Sequence, residues 1–201
     1  MQACPAVNTF ERRIIEIPAP FSFGVRCVKS KNNNFDFHLL EDHTRIDDDL
    51  ISNFITFMPR DTWRTATAPV VQIALPHIFV SDQVCYLSQM PPWASANGID
   101  YPGQFIGGRF PTHIWPRSLN LSFEWTDIRK DFRMKRDQAA CYLFIETSDP
   151  EASIRLCPSK MTDGLKEYRS RIEDVVKFTS GSFKLFDEVA IFRPVSLLSE
   201  V

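Results

Sequence analysis

The residues best suited to contact another molecule are concentrated in one stretch, PPWASANGIDYPGQFIGGRFP (residues 91–111), and just after it. Aromatic rings and arginine guanidinium groups occur together there, and this combination binds anions, sugars, bases or the rings of other proteins. The rings supply contact area and the arginines fix an anionic group. The sequence therefore predicts a small-molecule or protein-binding surface around residues 91–117. Its candidate ligand-binding residues are Trp93, Tyr101, Arg109, His113, Trp115 and Arg117.

The composition of residues 91–111 predicts an irregular loop. Four of the chain's seven glycines and four of its 14 prolines fall there, and both residue types interrupt helices and strands. An ordered loop of this length is usually functional, and its aromatic content argues against disorder. We expect the loop to line a pocket, to present its rings to a partner, or to plug one open end of a β-sandwich.

A second, different chemistry is a metal site built from histidine and carboxylate side chains. A mononuclear iron oxygenase on a jelly-roll fold needs two histidines and one carboxylate with an open coordination position. His77, Asp82 and His113 could supply that set. The usual local pair, an acid two residues after a histidine, is absent, and residues five apart, such as His77 and Asp82, point to opposite faces of a regular strand. We therefore predict no metal and no particular cofactor, with a metal-dependent, oxygenase-like jelly-roll enzyme as the alternative function.

Other catalytic motifs are missing from the sequence. It contains no G-x-S-x-G nucleophile elbow, no G-x-G-x-x-G stretch and no P-loop. The leading interpretation is therefore a binding module for a small molecule or a protein, and whether the chain is an enzyme stays open. A further alternative is a structural or assembly protein, viral in origin, in which residues 91–117 form a subunit contact of a homo-oligomer.

Charge and composition argue against two classes of partner. The net charge is −2, so no electrostatic footprint for nucleic acid is expected. No stretch approaches the roughly 18 apolar residues of a membrane helix, and the N-terminus lacks the features of a signal peptide. The five cysteines are scattered, and those in apolar surroundings, such as Cys85 and Cys141, are expected to be buried and reduced. These features predict a soluble cytoplasmic protein.

Most of the chain has the two-residue alternation that is typical of half-buried strands. Apolar and β-branched residues in PVVQIALPHIFVSDQVCYLSQM predict two or three further strands, with a kink at Pro76. Asparagines in residues 29–34 predict a turn that joins two of the alternating segments into a hairpin. The clearest alternating segments are FSFGVR (21–26), FDFHLL (35–40) and LNLSFEW (119–125). Residues 131–147 predict another strand pair or one long bent strand.

Two segments have helical periodicity instead. It predicts a helix near 46–57, which begins with three aspartates, and a C-terminal helix near 160–178. One last strand is predicted around residues 189–192. Short strands without βαβ alternation favour a mainly β (α+β) fold, an antiparallel β-sandwich or jelly-roll-like barrel with the two helices outside. We predict one globular domain over residues 1–201.

One resemblance covers about half of the chain. The run from TWRTATAPVVQIALPHIF (62–79) to IWPRSLNLSFEWTDIRKDFRMKRDQAACYLFIET (114–147) resembles a family of uncharacterised bacterial and phage proteins. The shared pattern is a tryptophan-containing strand, then a basic turn, then a strand preceded by Arg136 and Asp137. That family has no established activity, so the resemblance implies a β-rich fold and assigns no functional residue.

Overall fold

The computed structural model of the chain describes residues 4–32, 34–41, 51, 53–93, 101–178 and 184–198. Within these ranges, β-strands account for most of the regular structure. The strands are β1 (Ile14–Pro18), β2 (Phe23–Lys29), β3 (Phe35–Leu39), β4 (Ile55–Phe57), β5 (Val70–Ile78), β6 (Cys85–Met90), β7 (Gly103–Ile106), β8 (Gly108–Pro111), β9 (Ser118–Trp125), β10 (Phe132–Met134) and β11 (Ala139–Thr147).

Three α-helices have both of their ends within the described residues. They are α1 (Pro5–Glu11), α2 (Asp163–Phe178) and α3 (Leu185–Ala190). The amphipathic helix α2 buries an apolar stripe formed by Leu165, Tyr168 and Ile172, as its sequence predicts. This stripe packs against Val189 of α3 and Leu197, so the C-terminal elements form a second, smaller hydrophobic cluster.

The strands form three sheets. Sheet A has the order β1-β11-β6-β8, sheet B the order β10-β2-β3 and sheet C the order β4-β5-β9-β7. Neighbouring strands in all three sheets are antiparallel. This arrangement confirms the predicted fold class, a mainly β, sandwich-like structure with a few helices.

All three sheets contribute to one hydrophobic core. Sheet A supplies Leu87 and Leu143, sheet B supplies Phe23 and Phe132, and sheet C supplies Phe123, each at most 2% exposed. Side chains alternate between the two faces of a strand, so a sheet that gives one face to the core keeps the other face for different contacts. For sheet A, that second face carries the candidate site described below.

Two details of the predicted strand pattern are confirmed. The hairpin of residues 21–40 is formed by β2 and β3, in which Cys27 lies opposite Phe37. The kink at Pro76 appears as a shift in the register of β5 against β9 between Ala74 and Ile78. Proline lacks the N–H group that a continuous ladder of hydrogen bonds requires, so the pairing is interrupted at that point.

The predicted helix near 46–57 is wrong at its C-terminal end. Residues 46–50 and 52 lie outside the described part of the chain, and residues 51, 53 and 54 are helical. The last three residues, however, form β4, in which Ile55 pairs with Ile73 of β5 and is 3% exposed. Short apolar runs fit helical and extended periods alike, and here pairing with a buried strand favours the extended form.

The C-terminal predictions are partly corrected. The helix predicted near 160–178 begins at Asp163, because the Oγ1 atom of Thr162 accepts a hydrogen bond from the N–H group of Leu165 at 3.1 Å and caps the helix. The strand predicted around residues 189–192 is wrong. Residues 185–190 form α3 instead, since a helix brings Val189 against the apolar stripe of α2.

The prediction of an irregular loop over residues 91–111 is wrong for its second half, and residues 94–100 lie outside the described part of the chain. Strand β7 pairs with β9 at the edge of sheet C, and β8 pairs with β6 at the edge of sheet A. Edge strands tolerate glycine and proline, so the composition of this segment does not exclude strands. The segment passes from one sheet to another instead of forming a single loop.

We expect Gly103→Ala to destabilise the protein strongly. An added Cβ atom would lie 1.9 Å from the backbone carbonyl oxygen of Glu124 on the neighbouring strand, so the β7–β9 pairing would have to shift. The free energy of unfolding, measured by urea titration, should fall by about 2 kcal/mol or more. Gly108→Ala is the matched control, because no described residue beyond its two chain neighbours has an atom within 4 Å of the added Cβ atom. Equal losses in the two variants would contradict this packing.

Candidate functional site

The register of sheet A places aromatic and polar side chains on its outer face. Directly opposed residues of neighbouring strands share a face, and Leu143 and Leu87 point into the core. Their neighbours along β11 and β6 therefore point outward. The rows on the outer face are Glu16, Tyr142 and Met90, then Ile14, Phe144, Ser88 and Arg109, then Glu146 and Tyr86.

Four rings form the apolar half of this face. Phe10 from α1 stacks on Phe144 with 5.3 Å between the ring centroids, and Trp93 packs on Tyr142 at 5.5 Å. The rings of Phe10 and Trp93 are 6.2 Å apart, so the four rings are continuous. Phe10 is 39% exposed and Trp93 is 59% exposed. Two large rings are therefore held by the sheet on one side and open to solvent on the other.

The other half of the face is a polar network around Arg109. Its guanidinium group lies 3.8 Å from the centre of the Tyr86 ring, which is a cation–π contact. Its Nε atom donates to both carboxylate oxygens of Glu146 at 3.1 Å, and Ser88 Oγ donates to the same carboxylate at 2.5 Å. The hydrogen bonds from Arg109 and then from Ser88 lower the pKa of Glu146. The ionised carboxylate thereby holds the arginine against the tyrosine ring.

Tyr142 keeps its proton in this setting. Burial, and then the charge of Glu16 and the hydrogen bond to it, raise the pKa of the Tyr142 phenol. The hydroxyl group therefore donates to the Glu16 carboxylate, which fixes the ring that supports Trp93. We use the name aromatic face for the set Phe10, Tyr86, Trp93, Arg109, Tyr142 and Phe144.

Three of the predicted ligand-binding residues meet at the aromatic face. Trp93 and Arg109 belong to it, and His113 supports it from the side. The His113 ring contacts the Tyr86 ring at 5.4 Å with an interplanar angle of 73°. Its Nδ1 atom lies 2.9 Å from the carbonyl oxygen of Cys85, which ties the imidazole to β6. His113 is therefore placed to position Tyr86.

The other three predicted residues have different surroundings. The Tyr101 ring stacks on Phe132 in the core at 5.3 Å, its hydroxyl accepts a hydrogen bond from Gln138 at 2.6 Å, and burial raises its pKa to about 12. Trp115 packs edge-on against Phe186 at 5.1 Å, beside the C-terminal helices. The guanidinium group of Arg117 lies 5.4 Å from the Trp115 ring. The described residues of the segment 91–117 thus contribute to three separate environments.

The three candidate metal ligands, His77, Asp82 and His113, are not brought together. Within the described ranges, no group of three or more His, Cys, Asp or Glu side chains is arranged to hold a metal ion. The Nδ1 atom of His113 faces the Cys85 backbone, as described above. The Nδ1 atom of His77 is buried and has no hydrogen-bond partner among the described residues. The Asp82 carboxylate has a different role.

Asp82 anchors the C-terminal segment. Its carboxylate accepts hydrogen bonds from the N–H groups of Leu197 at 2.6 Å and Leu198 at 3.3 Å, and from Ser196 Oγ at 2.8 Å. Burial raises the pKa of Asp82, but these hydrogen bonds and the nearby charge of Arg193 outweigh that effect, so the pKa is lowered. The aspartate therefore holds the C-terminal segment against the β5–β6 connection in its charged form.

Sequence reasoning missed most of the aromatic face, although a signal for it exists. In the segments CYLSQM and CYLFIET, every second side chain points toward the core, as those of Leu87 and Leu143 do. The residues between these positions form a second set, whose side chains point outward. The second set contains Tyr86, Ser88, Tyr142, Phe144 and Glu146. Aromatic and polar residues that alternate with buried leucines along a strand indicate that the outer face of the sheet can contact another molecule.

Comparisons with known proteins place the chain in no family. No family model matches it, no curated protein matches it, and no solved structure matches it. The resemblance to uncharacterised bacterial and phage proteins stays a prediction. Among the described helices, none is long and apolar enough to cross a membrane.

We expect Asp82→Asn to lower the free energy of unfolding at pH 7 by about 2 kcal/mol, because hydrogen bonds to the charged carboxylate weaken. Because the pKa of Asp82 is lowered in the folded protein, the carboxylate makes its full contribution to stability at pH values above the usual aspartate pKa, near 3.9. That contribution is lost as the pH falls through the pKa of Asp82 in the folded protein. The difference between variant and wild type should therefore shrink in urea titrations at about pH 3.

The control for this variant is Asp137→Asn. Asp137 has a φ of 63°, which asparagine tolerates, and its side chain is 82% exposed. Its substitution should change the free energy of unfolding by less than about 0.5 kcal/mol at either pH. If Asp82→Asn lowered the free energy of unfolding by the same amount at both pH values, this would contradict the assigned role of the carboxylate.

Proposed function

We propose that this chain is a protein-binding module that docks a partner protein on the aromatic face. The observation that carries the proposal is the state of Trp93, which is 59% exposed although its ring is already packed on Tyr142 and Phe10. Tryptophan, tyrosine and arginine are the residues that contribute most to binding at protein interfaces. The aromatic face contains all three types within one set of neighbouring side chains.

The distribution of these side chains suits a protein better than a small molecule. They project from neighbouring strands of one sheet, and four strands at about 4.8 Å spacing span roughly 14 Å across the sheet. Residues spread over such a face do not converge on one small group, as the polar residues of a small-molecule pocket do. A partner polypeptide can cover the whole row at once.

The side chains of the aromatic face are fixed before any partner binds. Arg109 is held by Glu146 at 3.0 Å and by the Tyr86 ring, and Phe10 is stacked on Phe144. Ordering a free arginine or tryptophan costs conformational entropy on binding, and that cost is smaller for side chains that are already packed. Pre-organised aromatic and arginine side chains therefore support the proposal of a docking surface.

The partner is expected to be apolar at its centre and polar at its rim. The exposed rings of Phe10 and Trp93 would contact aliphatic or aromatic groups. The Arg109 charge is balanced by Glu146, whose carboxylate it already contacts. Arg109 would therefore contribute mainly through its flat guanidinium surface and its remaining N–H donors, not as an unpaired cation.

The test combines site-specific cross-linking with measured affinities. A photo-reactive amino acid at position 90, which lies beside Tyr142 on the outer face, should cross-link the partner protein in an extract of the source cells. The same group at position 129, in the turn after β9, should not. The purified partner should then bind Trp93→Ala and Arg109→Ala at least about tenfold more weakly than wild type in calorimetry.

Arg129→Ala provides the control affinity, because the Arg129 side chain is 87% exposed and belongs to a different part of the surface. It should bind the partner as wild type does. The proposal fails if position 129 cross-links as well as position 90, or if the Trp93 and Arg109 variants keep the wild-type affinity. A cross-link at position 90 to a second copy of the chain would replace the proposal with self-assembly.

A further inference from the structure

A second surface feature lies apart from the aromatic face. A groove of about 650 Å³ runs between the end of β5, residues 155–161 and the start of α2. Its volume falls in the range of about 300–1,000 Å³ that is common for ligand sites. Its walls are mostly apolar, and Leu165 of α2 contributes to them. The other apolar side chains include Ile78, Phe79, Val80, Leu156, Met161 and Leu198.

Several of these side chains are much more exposed to solvent than the residues of the core. Leu156 is 55% exposed, Met161 is 37% exposed and Leu198 is 36% exposed. All three line the same groove, so they form one apolar patch and are not scattered over the surface. Contiguous apolar surface in a concave site is typical of a place where a ligand or a partner binds.

The charged residues that line the groove are all positive. Arg155 and Lys160 line it, and none of its described lining residues is an aspartate or a glutamate. Neither cationic side chain forms an ion pair or a hydrogen bond with any described residue. An apolar groove with two such cations is complementary to a molecule with one anionic end and an alkyl remainder.

We propose that this groove binds a long-chain carboxylate, a fatty acid anion. The alkyl chain lies along the apolar walls, and the carboxylate lies at the cationic residues of the groove, Arg155 and Lys160. An alkyl chain has no polar groups to satisfy, so it matches walls that offer few hydrogen-bonding side chains. This inference uses none of the residues of the aromatic face, and it stands or falls independently of the proposed function.

Binding is tested first with sodium octanoate, decanoate and dodecanoate, each below its micelle-forming concentration. Each methylene group that the groove buries should raise the affinity about fourfold, as measured by calorimetry, until the groove is filled. Dodecanol, which has the same chain without the charge, should bind at least about tenfold more weakly than dodecanoate. Equal binding of the alcohol and the acid, or no saturable binding of either, would overturn the proposal.

The position of the ligand is tested through the cysteines. Cys157 lines the groove and is exposed, and Cys4 is exposed at the other end of the chain. Saturating dodecanoate should slow alkylation of Cys157 by iodoacetamide severalfold and leave the rate at Cys4 unchanged, as measured by peptide mass spectrometry. Equal effects at the two thiols, or no protection of Cys157, would contradict binding in this groove.

The cations are tested by charge reversal. The double variant Arg155→Glu, Lys160→Glu should bind dodecanoate at least about tenfold more weakly, while its affinity for dodecanol stays close to that of the wild type. Arg136→Glu is the control, because Arg136 is 72% exposed and does not line the groove. Wild-type affinity for dodecanoate in the double variant would overturn the role of the two cations.

Discussion

The ring of Phe132 joins strands from two sheets, and the aromatic packing around it is the constraint on which the other features depend. Phe132 lies on β10 in sheet B, 5.7 Å from Phe23 on β2. It also lies 4.9 Å from Phe123 and 6.1 Å from Trp125 on β9 in sheet C. All four rings are at most 1% exposed. Phe132 stacks on Phe23, meets Phe123 edge-to-face and is tilted against Trp125, and such specific ring geometries favour one arrangement of the rings. This packing therefore fixes which faces of sheets B and C point inward.

Sheet A packs against the same hydrophobic core, and this packing divides the sheet into two faces. Its inner face contributes Leu87 and Leu143, so Tyr142, on the same strand as Leu143, must point outward. A folded protein gains little stability from a tryptophan such as Trp93 that is more than half exposed. The outer face nevertheless carries several rings and an anchored arginine. These side chains add little to the stability of the fold, and their presence on the outer face is the physical basis of the proposed docking function.

The sequence predicts the elements better than it predicts their assembly. Alternation predicts β2, β3 and β9, because each buries one face, and the period of α2 is equally clear. The edge strands β7 and β8 are missed because glycine and proline indicate turns unless a neighbouring strand pairs with them. For the site, residue type alone identifies Trp93 and Arg109. Tyr86 and Phe144 are missed, because their neighbours are set by the register of β6 against β11, which depends on the tertiary fold.

The central claim is that the aromatic face serves contact with another molecule and not the stability of the fold. The most direct measurement compares the free energies of unfolding of Trp93→Ala and Leu143→Ala, whose residues lie on opposite sides of sheet A. We expect Trp93→Ala to lose less than about 1 kcal/mol and Leu143→Ala, 0% exposed in the wild type, to lose about 3 kcal/mol. A loss in Trp93→Ala as large as that in Leu143→Ala would show that the ring belongs to the core and would contradict the claim.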